Sequence, residues 1–179
     1  MAHILTLVLY FLLLGNLAPE LSPIRKKLMQ VASKEVGQRE VGKNNFGPAP
    51  KKYLAATNLN EGNPYCAAFA KWIYNEVGVK TPGANAWSPS WFPEDRVKYK
   101  RGKKNTYKPK PGDPFGIFFQ EKKRIAHLGI IELFSEEDGQ VNTIEANTNV
   151  GGSREGQGVY RLRRSINAIY VVSNWIGDE

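Results

Sequence analysis

At Pro111-Gly112-Asp113 the apolar pattern of this chain changes period, and that change constrains the fold class more than any other feature. Upstream, Ser22-Pro23 opens a helix, with Ser at the N-cap and Pro at the first position, where its missing N–H costs nothing. Ile24, Leu28, Val31, Ala32 and Val36 then recur on one face until Gly37. Residues 40–50, rich in Gly, Asn and Pro, read as loop, and a short helix follows around Lys51 to Thr57. A third helix is predicted with Asn63 as N-cap, Pro64 at its first position, and Phe69, Trp72, Ile73 and Val77 at helical spacing before Gly78. Downstream, Phe115–Phe119, His127–Phe134, Val141–Ala146, Val159–Arg163 and Ala168–Val172 read as strands, with Glu136-Glu137-Asp138-Gly139 as a hairpin turn. Helices first and strands after predict an α+β domain, its N-terminal helices packed on a roughly five-stranded antiparallel sheet. Residues 79–112 read as one long irregular excursion, and loops of that length are usually functional.

The chain has 179 residues, enough for one domain with a sizeable core, placed at 23–179. Residues 1–22 stand apart. The apolar run Ile4 to Leu14 is too short to span a membrane comfortably and matches the core of an export signal. No Lys or Arg precedes it and it has no clean small-x-small cleavage site, although Ala18 is a candidate, so an uncleaved anchor or a buried helix are the alternatives. Export would place the protein in the periplasm, outside the cell or at the cell wall. Without export it would be stored in the cytoplasm until injection or lysis.

One cysteine excludes an internal disulfide and any zinc site built from several thiolates, and two histidines exclude a polyhistidine site. No cofactor is expected. The net charge of +8 favours an anionic partner. Arg96, Lys98, Lys100, Arg101, Lys103, Lys104, Lys108 and Lys110 fall in one stretch without an acid. It is either a solvated loop or a loop that binds polyanions such as anionic wall polymers. Tyr99 and Tyr107 interleave with these charges, but no nucleic-acid motif accompanies them and no nucleic acid is expected as partner.

The single cysteine, Cys66, falls in the first turn of the third predicted helix, where unpaired amides and the helix dipole favour the thiolate. A lone Cys on such a helix is either a small core residue or a nucleophile. A nucleophile needs a base and a group to orient that base. His127 stands at the predicted start of an apolar strand, where Gly129 permits close approach of neighbouring groups. Glu145 and Asn147 end the next strand; two apart, they share a face and can lie beside the imidazole.

Taken in order, Asn63-Pro64-Tyr65-Cys66-Ala67-Ala68-Phe69, Pro111-Gly112-Asp113, Ala126-His127-Leu128-Gly129-Ile130 and Ile144-Glu145-Ala146-Asn147-Thr148 resemble the CHAP family, the cysteine, histidine-dependent amidohydrolases/peptidases of the papain-like NlpC-type superfamily. The stretch Glu40 to Gly47, with Asn44 and Asn45, is similar to one subset of that family. The resemblance covers roughly residues 24–175. It implies a papain-like fold and cleavage of an amide bond in peptidoglycan, by an N-acetylmuramoyl-L-alanine amidase or a peptide endopeptidase. Cys66 would attack, His127 would act as base and then acid, Glu145 would orient it, and Asn147 would be a further polar member. The Cys66 N–H and the Asn63 side chain are oxyanion candidates. Tyr65 stands where many relatives carry Trp or Gln, which bears on the oxyanion geometry. Trp87 and Trp91 in the long excursion are candidate substrate contacts. The alternatives are a cell-wall-binding module without activity and a papain-like protease acting on proteins. An immunity protein would be a further partner if the protein is a toxin.

Overall fold

A computed structural model describes residues 20–154 and 156–177; the apolar run predicted as an export signal lies outside the described residues. Three helices come first: α1 (Pro23–Glu35), α2 (Pro48–Ala55) and α3 (Cys66–Glu76). Six strands follow: β1 (Val97–Lys100), β2 (Pro114–Phe119), β3 (Arg124–Ser135), β4 (Gln140–Thr148), β5 (Gly158–Ser165) and β6 (Val171–Ser173). They form one antiparallel sheet in the order β1-β6-β2-β3-β4-β5. The α+β class and the order of helices and strands match the sequence expectation.

The sheet has six strands because the basic stretch supplies β1, which pairs with β6 at one edge. The excursion is otherwise irregular, with a 3₁₀ turn at Ser88–Trp91. Strand β1 is only four residues long, and its Val97/Tyr99 alternation is lost among the surrounding lysines; pairing with the apolar β6 and packing of Tyr99 on Phe134 decide its conformation. The turn at Glu136 to Gly139 forms as expected, with the Gly139 N–H on the Glu136 carbonyl at 3.2 Å.

Helix α3 is the axis of the core. Ala67, Ala68, Phe69, Ala70, Ile73 and Tyr74 are all buried. The small residues of its first turns let it approach the sheet closely, against Leu128, Ile130, Ile144 and Ala146. A second, smaller cluster of Phe115, Ile131, Phe134, Val141, Ile169 and Val172 fills a separate part of the interior. Helix α1 contributes Leu28 and Ala32 and, unexpectedly, a wholly buried Arg25. Arg25 Nη1 donates to Asp113 Oδ1 at 2.9 Å and to the Pro111 carbonyl at 2.7 Å. Asp113 Oδ2 accepts from Tyr107 Oη at 2.7 Å and from the Lys110 N–H at 2.8 Å. The point where the pattern changes period is thus tied to the first helix by a buried ion pair.

Candidate active site

Helix α3 starts two residues later than its sequence predicts. Tyr65, not Asn63, occupies the N-cap position, and Cys66 is the first helical residue. Asn63 is exposed and gives its side-chain N–H to the Asn60 carbonyl at 3.0 Å. It neither caps the helix nor joins the buried cluster around the thiol. Cys66 is buried, with Sγ 3.6 Å from Ser88 Oγ. Burial pushes the thiol pKa up, but the neighbouring His127 outweighs it, with help from the Ser88 hydroxyl and the Leu128 backbone N–H, and the net direction is down.

His127 is also further inside its strand than predicted. β3 begins at Arg124, and His127 pairs with Ile117 across the β2–β3 ladder. Its Nε2 lies 2.7 Å from Glu145 Oε2, while Nδ1 is buried without a hydrogen-bond partner. Burial works against the imidazolium, but the Cys66 and Glu145 contacts prevail and raise the pKa to about 9. The expected close approach at Gly129 is real: a Cβ there would stand 2.5 Å from Glu145 Cγ and 2.8 Å from Phe115 Cε1. Only glycine lets β4 bring its carboxylate this close to β3.

Three residues that sequence reasoning missed complete the site. Arg164 on β5 gives Nε to Glu145 Oε1 and Nη2 to Oε2, both at 2.6 Å. Thr143 Oγ1 donates to Oε1 at 2.5 Å. Burial raises the Glu145 pKa, yet Arg164 and then His127 overcome it and bring the pKa to about 2. Thr143 was visible in principle, two residues before Glu145 on one strand. Arg164 was not: it sits opposite Val141 and reaches Glu145 along the sheet, which only the β4–β5 register reveals. Ser88, from the long excursion, carried no spacing signal.

Asn147 departs from the expected alternation. The β4–β5 register shifts between Ala146 and Thr148, and Asn147 is the bulged residue, with φ +56°. The bulge interrupts the two-residue alternation that placed it beside Glu145, and its side chain makes no hydrogen bond to His127. Both polar atoms of its buried side chain lack a partner. Tyr65 is buried, and its hydroxyl donates to Glu40 Oε1 at 3.1 Å, so it is not an open substrate contact. The tryptophans divide. Trp91 is fully buried against Tyr74 and Trp175, with its indole N–H on the Asn85 carbonyl at 2.9 Å, and belongs to the core. Trp87 is 57% exposed and immediately precedes Ser88, the residue touching the thiol.

Such an arrangement can hold a thiolate beside an imidazolium whose other nitrogen is fixed by an ionised carboxylate. Among the described residues no group of three or more His, Cys, Asp and Glu could hold a metal ion. In comparison with known proteins, the CHAP domain family model matches residues 58–147, half of the chain, covering the segments that carry Cys66, His127, Glu145 and Asn147. CHAP domains in general are amidases or peptidases acting on peptidoglycan. The chain matches no curated protein and no solved structure.

Proposed function

Because the chain belongs to the CHAP family, we propose that it is a cysteine amidohydrolase or peptidase that cuts an amide bond of peptidoglycan. The observation that carries this reading is the buried Cys66–His127–Glu145 series, in which His127 Nε2 is held at 2.7 Å and Nδ1 is left for the thiol. Cys66 Sγ attacks the scissile carbonyl carbon, and the C=O electron pair moves onto oxygen. The Cys66 N–H at the start of α3 is one donor for that oxyanion. The unpaired Asn147 amide is a second candidate. As the tetrahedral intermediate collapses, the C–N bond breaks and His127 gives its proton to the leaving amine. A water, deprotonated by His127, then attacks the thioester, releasing the carboxylic acid and restoring the thiol.

Glu145 serves as the positioning residue for His127, and Arg164 and Thr143 position Glu145. Trp87 contacts substrate at the rim. Export to the cell wall accounts for the apolar N-terminal run, and anionic wall polymers for the basic 96–110 stretch. Among the described residues no carboxylate pairs with Lys100, Lys103 or Lys104.

The decisive experiment is digestion of purified peptidoglycan by wild type and by Cys66→Ala, with mass spectrometry of the fragments. Fragments from the wild type alone are expected, and their masses separate amidase from endopeptidase cleavage. Denatured protein serves as a second substrate, since a protein-cutting enzyme would use the same thiol and imidazole. Absence of fragments from folded, reduced wild type would sink the proposal.

A further inference from the structure

A pocket of about 360 Å³ is lined by Arg39, Glu40, Gly42, Lys43, Asn44 and Gln157. Topology ties it to the site from two sides. Glu40 Oε1 accepts from Tyr65, the residue before Cys66, at 3.1 Å. Gln157, whose carbonyl accepts the Glu40 N–H at 2.9 Å, precedes Gly158, and Gly158 pairs with Thr148 next to the Asn147 bulge.

The pocket is built rather than incidental. Glu40 Oε2 accepts the Asn45 backbone N–H at 2.8 Å, which fixes the carboxylate from its second oxygen. Asn45 itself is held in left-handed backbone, at φ +62°, and its Oδ1 is buried without a partner. Each Glu40 oxygen then has one protein donor and a remaining lone pair. The opposite charge is present too. The Arg39 guanidinium is stacked 4.1 Å from the Tyr160 ring centroid and bonds only backbone carbonyls. Lys43 is exposed and has no carboxylate partner among the described residues.

A fixed carboxylate and two unneutralised cations lining one small pocket are complementary to a group carrying both charges. We infer that this pocket is a specificity subsite for a zwitterionic amino-acid centre of a stem peptide, with Glu40 taking its ammonium and Lys43 with Arg39 its carboxylate. The inference rests on the hydrolase reading above for its substrate class. Peptidoglycan stems carry a diamino acid, and only where its distal carbon bears both an ammonium and a carboxylate are all three side chains used.

The test measures binding apart from turnover. Three stem tripeptides, alike except for diaminopimelic acid, lysine or acetyl-lysine at the third position, are titrated calorimetrically into full-chain Cys66→Ala. Affinity is expected to fall about tenfold at each step, the size of one charge-assisted contact. Adding Glu40→Gln should abolish the step from lysine to acetyl-lysine. Adding Lys43→Ala, an exposed change that leaves Tyr65 untouched, should shrink the step from diaminopimelic acid to lysine alone. Equal affinities, no measurable binding, or steps that persist in both variants would overturn the subsite. If wild type still digests peptidoglycan in that case, the hydrolase reading survives. Stepped binding without digestion by wild type would leave the subsite standing and remove the hydrolase.

Discussion

Asp113 and Glu145 are both buried carboxylates facing an arginine, yet their acidities move in opposite directions. For Asp113, burial raises the pKa, and Arg25, Lys110 and Tyr107 only partly offset it. Arg25 divides its donors among Asp113, the Pro111 carbonyl, Asn174 and Tyr107. Arg164 instead gives two nitrogens to one carboxylate, and His127 and Thr143 add two more donors. Burial alone therefore does not set the ionisation of a carboxylate; the number and geometry of the cations on it do. One arrangement joins secondary structures. The other keeps a charge fixed on Nε2 of a ring whose Nδ1 has no partner.

The sharpest break of this comparison is chemical. Cys66→Ala should lower peptidoglycan turnover by about 10⁴-fold or more, while thermal denaturation shows the fold retained. Next in size, Asp113→Ala leaves Arg25 buried without its counter-charge and should cost about 3–5 kcal/mol of stability, read by denaturant titration. Its turnover per folded molecule should stay close to wild type, because Asp113 lies outside the site. Equal loss of rate and stability in either variant would erase the distinction between the two clusters. Glu145→Gln should slow turnover about 100-fold. It should also move the alkaline limb of the pH–rate profile below the wild-type position near pH 9, since the carboxylate helps hold the proton on His127. Smallest, Arg164→Lys keeps the charge but loses the paired contact, and should cost about tenfold in rate.

The same shifts predict how folding depends on pH. His127, raised from 6.5 to about 9, contributes stability that is complete below pH 6.5 and lost as pH rises through 9. Glu145, lowered from 4.5 to about 2, contributes stability present above pH 4.5 and lost as pH falls towards 2. Asp113 has the sign of His127: its raised pKa favours the fold on the acid side, and that contribution disappears as pH rises. Melting temperature measured across this range checks all three. Cys66→Ala, which removes the thiolate from His127, should bring the alkaline loss to lower pH.

Much of this architecture was legible in the sequence, and the gaps have physical causes. Hydrophobic period located the first and third helices and five strands, because burial of one face writes a repeat into the chain. It missed β1, where the alternation of Val97 and Tyr99 spans only four residues inside a run of lysines. The thiol, the imidazole and Glu145 were legible because each stands in an element with a local signature. The bulge at Asn147 was not legible, because nothing local announces a break in the two-residue alternation. Asn63 was misread because helix-start chemistry fitted one position and tertiary packing chose another two residues on. Arg164 depended on strand register, and Trp91 on the packing of Tyr74 and Trp175, neither of which is a property of the segment itself.

Strand β6, the last in chain order, lies between β1 and β2. Until residues 171–173 arrive, both of its neighbours present unpaired edges, and Trp91 lacks the Ser173 and Trp175 donors to its carbonyl. A chain emerging from the ribosome therefore cannot complete this sheet until residues 171–173 have left the exit tunnel. Until then the facing edges of β1 and β2 stay open to a chaperone.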